Sequence, residues 1–491
     1  RDLVEDLREI FANFNKPETA VARETPHERN FRMASRAAHE LSFRFFQRFL
    51  RKIRSGSIIS AVESMAALSP VVLGVAPYLT SYKTQHRDDS LIRDLVAHFD
   101  LQNQVRITSG RKAWLTDTFS DINGVSLTIR TLASLAHARN RSLTVITSLE
   151  HVDDVDFDHA NFDPVGIFSL PEYPQQKLAF PPVLDIINFI EREQFDELIV
   201  STPGPVGLCG ILAARLLNIP VRGIYHTDFP RYIQEWTDDD TMSEMATRAM
   251  KWFYGQMTSI YAPTNAYVEE LRAMGFSGRM LSVLSRGANM KQFNPSFRND
   301  TWWTRFGLNG GFKFVYVGRV AYEKNLKALL DAWKLLAGRG IPAELAVVGD
   351  GPHLSEVQAT YGDVPGLVFT GFMQGEELSR AYAAADALVF PSLTDTFGNV
   401  VLEAHASGLP AIVSDRGGPQ EIVGSHESGL VVNAADPNML AEAMQRLVSD
   451  PDLYAALKQN AIRSVETRSW DTVLDMLEHP QFVEQSPSPS P

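Results

Sequence analysis

The stretch that decides the fold is residues 390–410, FPSLTDTFGNVVLEAHASGLP. An apolar strand ending at Phe390 runs into a polar turn, and a helix carrying Glu403 begins near Gly398. This arrangement predicts an anion site, because unpaired N–H groups and the positive end of the helix dipole point outward. The residues expected to present those N–H groups are Thr396, Phe397, Gly398, Asn399 and Val400. Glu403 then lies at ribose distance and Asp395 at sugar distance from a bound phosphate, so the pattern indicates a nucleotide sugar.

The same stretch resembles the acidic motif (Glu, seven residues, Glu) of retaining glycosyltransferases of family 4, which have the two-domain GT-B fold. Here the first acid is Asp395 rather than Glu, and the second is Glu403. The change removes one methylene and keeps the charge. The resemblance implies a catalytic Asp395 and a donor-binding Glu403. From this stretch alone, an ordinary buried βα turn stays open as the alternative.

Composition narrows the class of protein. A chain of 491 residues has room for about two or three domains, and 44% hydrophobic with 21% charged residues fits a globular protein. The net charge of −13 argues against a nucleic-acid partner, because neutralising phosphates needs a basic surface. Cys209 is the single cysteine, so we expect no internal disulfide and a reducing, cytoplasmic location. A first residue other than Met predicts a piece of a longer protein.

Residues 1–104 are predicted to form a mostly helical extension outside the resemblance, with an unknown role. Apolar residues recur there at helical spacing, and arginines occupy mostly other faces. The apolar set is Phe43, Phe46, Leu50 and Ile53. A basic aromatic helix over 43–54 could bind an anionic membrane surface and make the protein peripheral on the inner face of a membrane. The alternative, slightly favoured, is that this face packs on the protein.

From about Val105, strands and helices alternate, which predicts a parallel sheet covered by helices. The predicted strands are Ala113–Leu115, Leu143–Thr147, Gly166–Leu170, Glu197–Ser201, Val221–Tyr225 and Ser259–Ala262. The turn 116–125 opens a helix and resembles a family loop with Asn-Gly-Val that closes over the donor diphosphate. The resemblance implies donor contacts from Asn123 and Gly124, and acceptor-side contacts from Asp117 and Asp121.

Residues 223–232 read GIYHTDFPRY. A strand ends on His226, at the edge of the sheet where α/β proteins bind ligands. The run resembles a His-Thr-Asp-Phe-Pro signature of the family branch that glycosylates lipids, the mannosyl and sulfoquinovosyl transferases. It implies that His226 lies against the donor sugar as a catalytic residue, with Arg231 and Tyr232 on the acceptor side. By residue type alone, a structural histidine is the alternative.

The run Ser285–Asn289 resembles the family hinge, so we place a domain boundary near Asn294 and predict Rossmann-like domains over 105–294 and 295–469. The second domain opens with the turn 318–325, Gly-Arg-Val-Ala-Tyr-Glu-Lys-Asn. The resemblance assigns Gly318, Arg319 and Lys324 to the donor. Two cations suit this site, because negative charge develops on the leaving diphosphate and fixed cations stabilise it most in the transition state.

Further donor contacts are implied for Phe372 and Met373, which follow a strand that lines the base pocket in relatives. A core strand and turn is an equally good interpretation of that segment. The helix near Trp470–Leu477 resembles the GT-B segment that crosses back to the first domain, so 470–485 is assigned to it. The Ser-Pro tail 486–491 is predicted to be disordered.

Two acidic runs, 153–156 and 238–240, look like metal-binding Asp-x-Asp motifs but lie in polar loops without the surrounding pattern. No His/Cys cluster has zinc spacing. We therefore predict no catalytic metal and no cofactor, with cations and a helix terminus serving instead.

Together these features predict an α/β protein with the GT-B fold, two facing doubly wound domains. The predicted activity is retaining, metal-independent hexosyl transfer from a UDP- or GDP-linked sugar to a hydroxyl acceptor, with a membrane lipid as one candidate. The alternatives are a sugar-nucleotide epimerase or a pyridoxal-phosphate phosphorylase of the same fold, a non-catalytic sugar-nucleotide-binding protein, and a membrane-docked scaffold.

Overall fold

A computed structural model describes residues 25–54, 69–85, 89–101, 110–120, 123–170, 173–237 and 239–482. The chain divides into two compact units. The first runs to Ile224 and takes in Gln256–Thr258, whereas the second comprises Tyr225–Gly255 and the chain from Ser259 onward. The predicted boundary near Asn294 stays a prediction, and the predicted tail lies outside the described residues.

Strands and helices alternate in the first unit, as the sequence pattern predicts. Its described strands are β1 Lys112–Leu115, β2 Leu143–Thr147, β3 His159–Asn161, β4 Gly166–Leu170, β5 Tyr173–Phe180, β6 Glu197–Val200 and β7 Val221–Ile224. Its described helices are α1 Pro26–Arg54, α2 Ser69–Gln85, α3 Asp89–His98, α4 Gly124–Ala138, α5 Val183–Glu193 and α6 Pro205–Leu217. Five strands pair in parallel in the order β3-β2-β1-β6-β7.

One strand predicted for the parallel sheet has a different partner. β4 pairs with β5 in an antiparallel hairpin, with Gly166 opposite Phe180. Only two residues separate these strands in the sequence, and a parallel crossover needs a dozen or so. The parallel edge strand is β3, a three-residue segment without an apolar run, so the hydrophobic pattern did not reveal it.

The described part of the helical extension belongs to the first unit and packs within it. The backbone N–H of Leu184 donates to His39 Nε2 at 3.2 Å. The Phe43 and Phe180 ring centroids are 5.4 Å apart. At Phe43 the apolar face therefore packs against protein. The side chains of residues 45–54 lie outside the described set, and a membrane role for 43–54 stays a prediction. Within the described ranges, no helix is long and apolar enough to cross a membrane.

The second unit begins with α7 Phe229–Thr237 and α8 Asp240–Tyr254. Its described strands are β8 Ser259–Ala262, β9 Leu281–Val283, β10 Phe312–Val317, β11 Ala343–Val348, β12 Leu367–Gly371, β13 Ala387–Phe390, β14 Ala411–Ser414 and β15 Gly429–Val432. Its further described helices are α9 Asn265–Ala273, α10 Leu326–Gly338, α11 Leu354–Tyr361, α12 Gly375–Ala383, α13 Asn399–Ala406, α14 Pro419–Gly424, α15 Pro437–Ser449, α16 Pro451–Glu466 and α17 Trp470–Glu478.

Six strands of the second unit form a parallel sheet in the order β12-β11-β10-β13-β14-β15. All four residues of β13 are buried, as expected for a central strand with helices on both faces. The strand order reverses between β10 and β13, and ligands of such sheets bind at the carboxyl ends of the strands beside that reversal. The turns that follow β10 and β13 carry the two motifs assigned to the donor.

The C-terminal helix α17 lies against the parallel pair β8–β9. The Tyr261 hydroxyl donates to the Leu477 carbonyl at 2.8 Å, and the Ser282 hydroxyl donates to the Gln481 carbonyl at 2.8 Å. Both strands lie in the same compact unit as this helix, so its predicted crossing to the first domain stays a prediction.

Candidate active site

The turn after β13 leads directly into α13. Gly398 precedes the helix with φ of 92°, a left-handed conformation that favours glycine. A Cβ at Gly398 would also lie 2.8 Å from Pro419 Cγ. As the N-cap residue, Gly398 offers no side-chain acceptor to the first N–H groups of the helix. The side chains of Thr396 and Phe397 are buried, and donor contacts from the backbone of this turn stay a prediction.

The turns after β10 and β13 are joined by an ion pair. Lys324 Nζ lies 2.6 Å from Asp395 Oδ2, and both side chains are mostly buried. Burial lowers the pKa of Lys324, but the neighbouring Asp395 carboxylate outweighs it and holds that pKa above its usual range. Asn325, in the left-handed conformation, fixes the turn by donating to the Ala434 carbonyl at 2.8 Å. The structure thus brings together the predicted phosphate-binding cation and the predicted sugar-binding carboxylate.

Gly318 and Arg319 belong to the same turn. The Arg319 side chain is exposed, and its backbone carbonyl accepts a hydrogen bond from the Tyr316 hydroxyl at 2.8 Å. The Tyr316 hydroxyl would also lie 3.2 Å from a Cβ at Gly318. Tyr316 therefore holds the backbone from which the Arg319 guanidinium extends.

Glu403 lies within α13, one turn from its start. Its Oε2 accepts a hydrogen bond from the Tyr382 hydroxyl at 2.9 Å. Burial raises the pKa of Glu403 to about 7, although the Tyr382 hydroxyl acts in the opposite direction. Glu403 is thus a carboxyl that exchanges its proton near neutral pH, held in one orientation by a buried tyrosine.

His226 is buried, and its backbone carbonyl accepts a hydrogen bond from the Thr396 hydroxyl at 2.6 Å. Its ring atom Nε2 is buried without a hydrogen-bond partner among the described residues. Burial lowers the pKa of His226 well below its usual range, and the nearby Arg286 charge lowers it further. The imidazole is therefore neutral. It lies next to the predicted donor turn, which is the segment 395–399 between β13 and the start of α13.

Arg231 and Tyr232, two of the four residues predicted on the acceptor side, differ in their surroundings. Arg231 Nη2 lies 3.1 Å from Glu270 Oε1, and Arg231 Nε lies 3.5 Å from the buried Asp228 carboxylate. These contacts give Arg231 a structural role at the start of α7. Tyr232 lies beside the ion pair: burial raises its pKa, Lys324 lowers it and the Asp395 carboxylate raises it.

In the first unit, Asn123 caps α4 by accepting the N–H groups of the second and third residues of that helix at 2.9 and 3.0 Å. Gly124 is the first residue of α4. The Asp117 carboxylate accepts from the Thr202 hydroxyl at 2.7 Å and from the N–H of Val206 at 2.8 Å, at the start of α6. Each of these contacts serves a helix terminus, and the substrate roles stay predictions. Asp121 lies outside the described residues.

Phe372 and Met373, the predicted base-pocket residues, follow β12. Phe372 is 49% exposed, whereas Met373 is buried, so only the phenylalanine ring is accessible to a ligand.

Within the described ranges, no group of three or more His, Cys, Asp or Glu side chains could hold a metal ion. The acidic loops have other partners. Asp156 accepts from the Ser134 hydroxyl at 2.7 Å, and Asp239 caps α8 by accepting the Thr241 N–H at 2.8 Å. Asp238 lies outside the described residues.

Comparison with known proteins shows the family of the chain. Residues 305–464 match the model of the family described as Glycosyl transferases group 1, and residues 122–292 match that of Glycosyltransferase Family 4. A GDP-mannose-dependent alpha-mannosyltransferase of Mycobacterium tuberculosis is 34% identical over 300 residues, which cover 60% of this chain and 75% of that protein. The chain belongs to glycosyltransferase family 4.

A second relative of this family 4 glycosyltransferase is a sulfoquinovosyl transferase of Arabidopsis thaliana. It is 28% identical over 321 residues, which cover 64% of this chain and 62% of the plant protein, just under two thirds of its length. Among solved structures, Anabaena HepE in complex with UDP and glucose superposes with a TM-score of 0.60 at 18% identity, over 75% of this chain and 98% of HepE. WaaG, a glycosyltransferase involved in lipopolysaccharide biosynthesis, superposes with a TM-score of 0.58 at 15% identity, over 75% and 98%. The predicted GT-B fold is thereby confirmed.

Two residues that contact predicted site residues were not assigned from the sequence. Tyr382 orients Glu403 from the neighbouring helix α12. The sequence around Tyr382 indicates only a helix. Arg286 follows β9 and donates from Nη1 to the side-chain oxygen of Asn399 at 2.9 Å. Arg286 lies in the run Ser285–Asn289 that resembles the family hinge. An arginine before a glycine is the one local feature there that could have indicated its role.

Proposed function

We propose that this family 4 glycosyltransferase transfers a sugar from a UDP- or GDP-linked donor to a hydroxyl acceptor with retention of the anomeric configuration. The observation that carries the proposal is the Lys324–Asp395 pair, 2.6 Å apart at the strand-order reversal of the second sheet. A cation suited to a phosphate lies there beside a carboxylate suited to sugar hydroxyls. The adjoining turn opens a helix whose first N–H groups favour an anion.

The reaction breaks the bond between the anomeric carbon and the donor phosphate oxygen. The acceptor oxygen bonds to that carbon from the same face, and its proton passes to the departing phosphate oxygen. Breaking the bond to the anomeric carbon puts negative charge on the diphosphate before the proton arrives. Lys324, Arg319 and the backbone N–H groups of the turn would stabilise this charge more in the transition state than in the ground state.

His226 and Glu403 would bind the uncharged sugar and ribose hydroxyls of the donor. A neutral imidazole can exchange hydrogen bonds with sugar hydroxyls without adding charge, and Nε2, which has no partner in the described part of the chain, suits that role. The Glu403 carboxyl, held by Tyr382, can accept hydrogen bonds from ribose hydroxyls. We assign no base preference, and Phe372 is the exposed side chain we propose beside the base.

The names of relatives support a choice of first substrates. The mycobacterial relative is GDP-mannose-dependent, and a 24% identical relative from Streptococcus pneumoniae is an alpha-monoglucosyldiacylglycerol synthase. We therefore propose that the acceptor is a lipid hydroxyl. We also propose that the protein binds peripherally to the cytoplasmic side of a membrane. Co-sedimentation with vesicles of anionic and zwitterionic lipids tests this part, and recovery of the protein only in the supernatant would contradict it.

The donor site is tested by thermal shift and turnover with UDP- and GDP-sugars, in buffer containing EDTA because we propose a metal-independent reaction. One nucleotide should raise the melting temperature, and its sugar should yield product with retained configuration when lipid is supplied. Isomerised sugar without any acceptor would indicate an epimerase instead. Stabilisation without turnover would indicate a binding protein.

Variants sharpen the test. Lys324→Ala and Asp395→Ala should keep the fold and lower kcat by about 100- to 1000-fold, the scale seen when one transition-state donor is removed. Lys327→Ala is the matched control, because this exposed lysine lies three residues away and pairs with Asp331 on its own helix. Full turnover by either site variant would refute the assignment.

A further inference from the structure

Arg286 is a buried cation beneath the donor turn. It follows β9 and is only 7% exposed. Removing a guanidinium from water costs free energy unless hydrogen bonds and nearby charges compensate it. Its contacts therefore bear on what the residue does.

Those contacts reach both neighbours of Gly398. Arg286 Nη1 donates to Asn399 Oδ1 at 2.9 Å, and the guanidinium carbon lies 5.4 Å from the centroid of the Phe397 ring. The first contact is a charge-assisted hydrogen bond and the second is a cation–π contact. One planar group thus holds the residues on both sides of a left-handed glycine.

Contacts from outside the turn hold it, among them the Gly418 N–H that donates to the Asp395 carbonyl at 2.8 Å. Gly398 has no side chain, and the start of α13 has no side-chain cap. On its other side the turn is held by the Thr396 hydroxyl on the His226 carbonyl. Arg286 and His226 therefore hold the turn from two directions.

We propose that Arg286 is a positioning residue that fixes the Phe397–Asn399 turn, so that the backbone N–H groups of this turn are preorganised for the donor diphosphate. The part about the donor rests on the proposed function, whereas the fixing of the turn can be measured without any substrate.

The charge of Arg286 adds to this role. The pKa of Arg286 is lowered to about 10, because burial lowers it by more than the Asp395 carboxylate raises it. The guanidinium therefore stays protonated at neutral pH. It also favours the neutral form of His226. A protonated Arg286 therefore contributes positive potential near the site where the diphosphate charge is expected to grow.

A cavity of about 350 Å³ gives experimental access to this residue. Arg286, Phe397 and Arg468 are among the residues that line it. Guanidinium ion is small enough to enter such a space after truncation of Arg286. Arg468 provides the matched control, because it lines the same cavity and makes no described hydrogen bond to the donor turn.

The first experiment is hydrogen–deuterium exchange of the full chain without substrate, comparing wild type, Arg286→Ala and Arg468→Ala. Amides of residues 396–402 should exchange faster in Arg286→Ala alone. Unchanged exchange there, or the same increase in both variants, would overturn the proposal. If Arg286→Ala does not fold, Arg286→Lys undergoes the same comparison, because it keeps the charge without the planar double contact.

The second experiment is donor kinetics. Arg286→Ala should lower kcat/KM for the donor by about 10- to 100-fold, the loss expected for one charge-assisted hydrogen bond. Added guanidinium should restore part of the lost kcat/KM in Arg286→Ala. The kcat/KM of Arg468→Ala should equal that of wild type. Wild-type kinetics in Arg286→Ala would overturn the positioning role alone. Absence of turnover in wild type would overturn the proposed function, while the exchange experiment would still decide the role of Arg286.

Discussion

Glu403 should destabilise the folded protein at neutral pH, and Glu403→Gln should remove that cost. Burial raises the pKa of this carboxyl from an ordinary 4.5 to about 7. A pKa change of this size corresponds to about 3 kcal/mol of folding free energy, at about 1.36 kcal/mol per pH unit. Glutamine has a similar shape, carries no charge and can still accept the Tyr382 hydrogen bond.

The pH window follows from the direction of the shift. Well below pH 4.5, both the folded and the unfolded chain hold the proton, so glutamate and glutamine should be equally stable. Between pH 4.5 and about 7, the unfolded chain releases its proton first, and rising pH therefore favours unfolding. Above about 7 the full cost is present.

The assay is urea denaturation of wild type and Glu403→Gln near pH 5 and near pH 8. The glutamine variant should gain little at the lower pH and about 3 kcal/mol at the higher. It should also bind the nucleotide more weakly. Glu442→Gln, an exposed change on α15, is the control and should show no such growth with pH. A stability difference that does not depend on pH would refute the reasoning.

Three further predictions concern other contacts described above in either unit. Tyr382→Phe removes a hydroxyl that lowers the pKa of Glu403, so the acidic limb of the donor kcat/KM profile should move to higher pH. Asp117→Ala should lose about 1–2 kcal/mol of stability in denaturation, because it removes the acceptor of the N–H group at the start of α6, while donor KM stays constant; a change confined to acceptor KM would favour the acceptor role instead. Gly418→Ala would place a Cβ 2.0 Å from the Thr396 carbonyl oxygen, so the nucleotide-induced rise in melting temperature should disappear while circular dichroism stays unchanged. A normal nucleotide response from that variant would contradict the placement of the donor at this turn.

Local patterns were sufficient for the central elements of the second unit. The run Ala387–Phe390 is the observed β13, and the helix expected near Gly398 begins one residue later. Such elements follow from apolar runs and turn residues that lie next to each other in the chain. The edge strand β3 was missed because its short polar sequence gains its place only from pairing with β2.

Contacts between distant residues were not accessible to the same reasoning. Arg286 and Asn399 are 113 residues apart, and Tyr382 precedes Glu403 by 21. Nothing in either local sequence specifies the partner. The acid at Asp117 was noticed, but the N–H groups that it accepts belong to a helix that starts nearly ninety residues later. Which carboxylates meet ligands and which meet helix ends is decided by tertiary packing.

The division of the chain into units has a consequence for how such a gene can be recombined. The backbone passes between the units after Ile224, Gly255 and Thr258, so neither unit is encoded by one uninterrupted segment. A fragment that stops at Ile224 lacks Thr258, whose N–H donates to the Val221 carbonyl at 2.8 Å. A single crossover between two related genes therefore cannot exchange one complete unit for another. New combinations of the two units would need exchanges with several junctions.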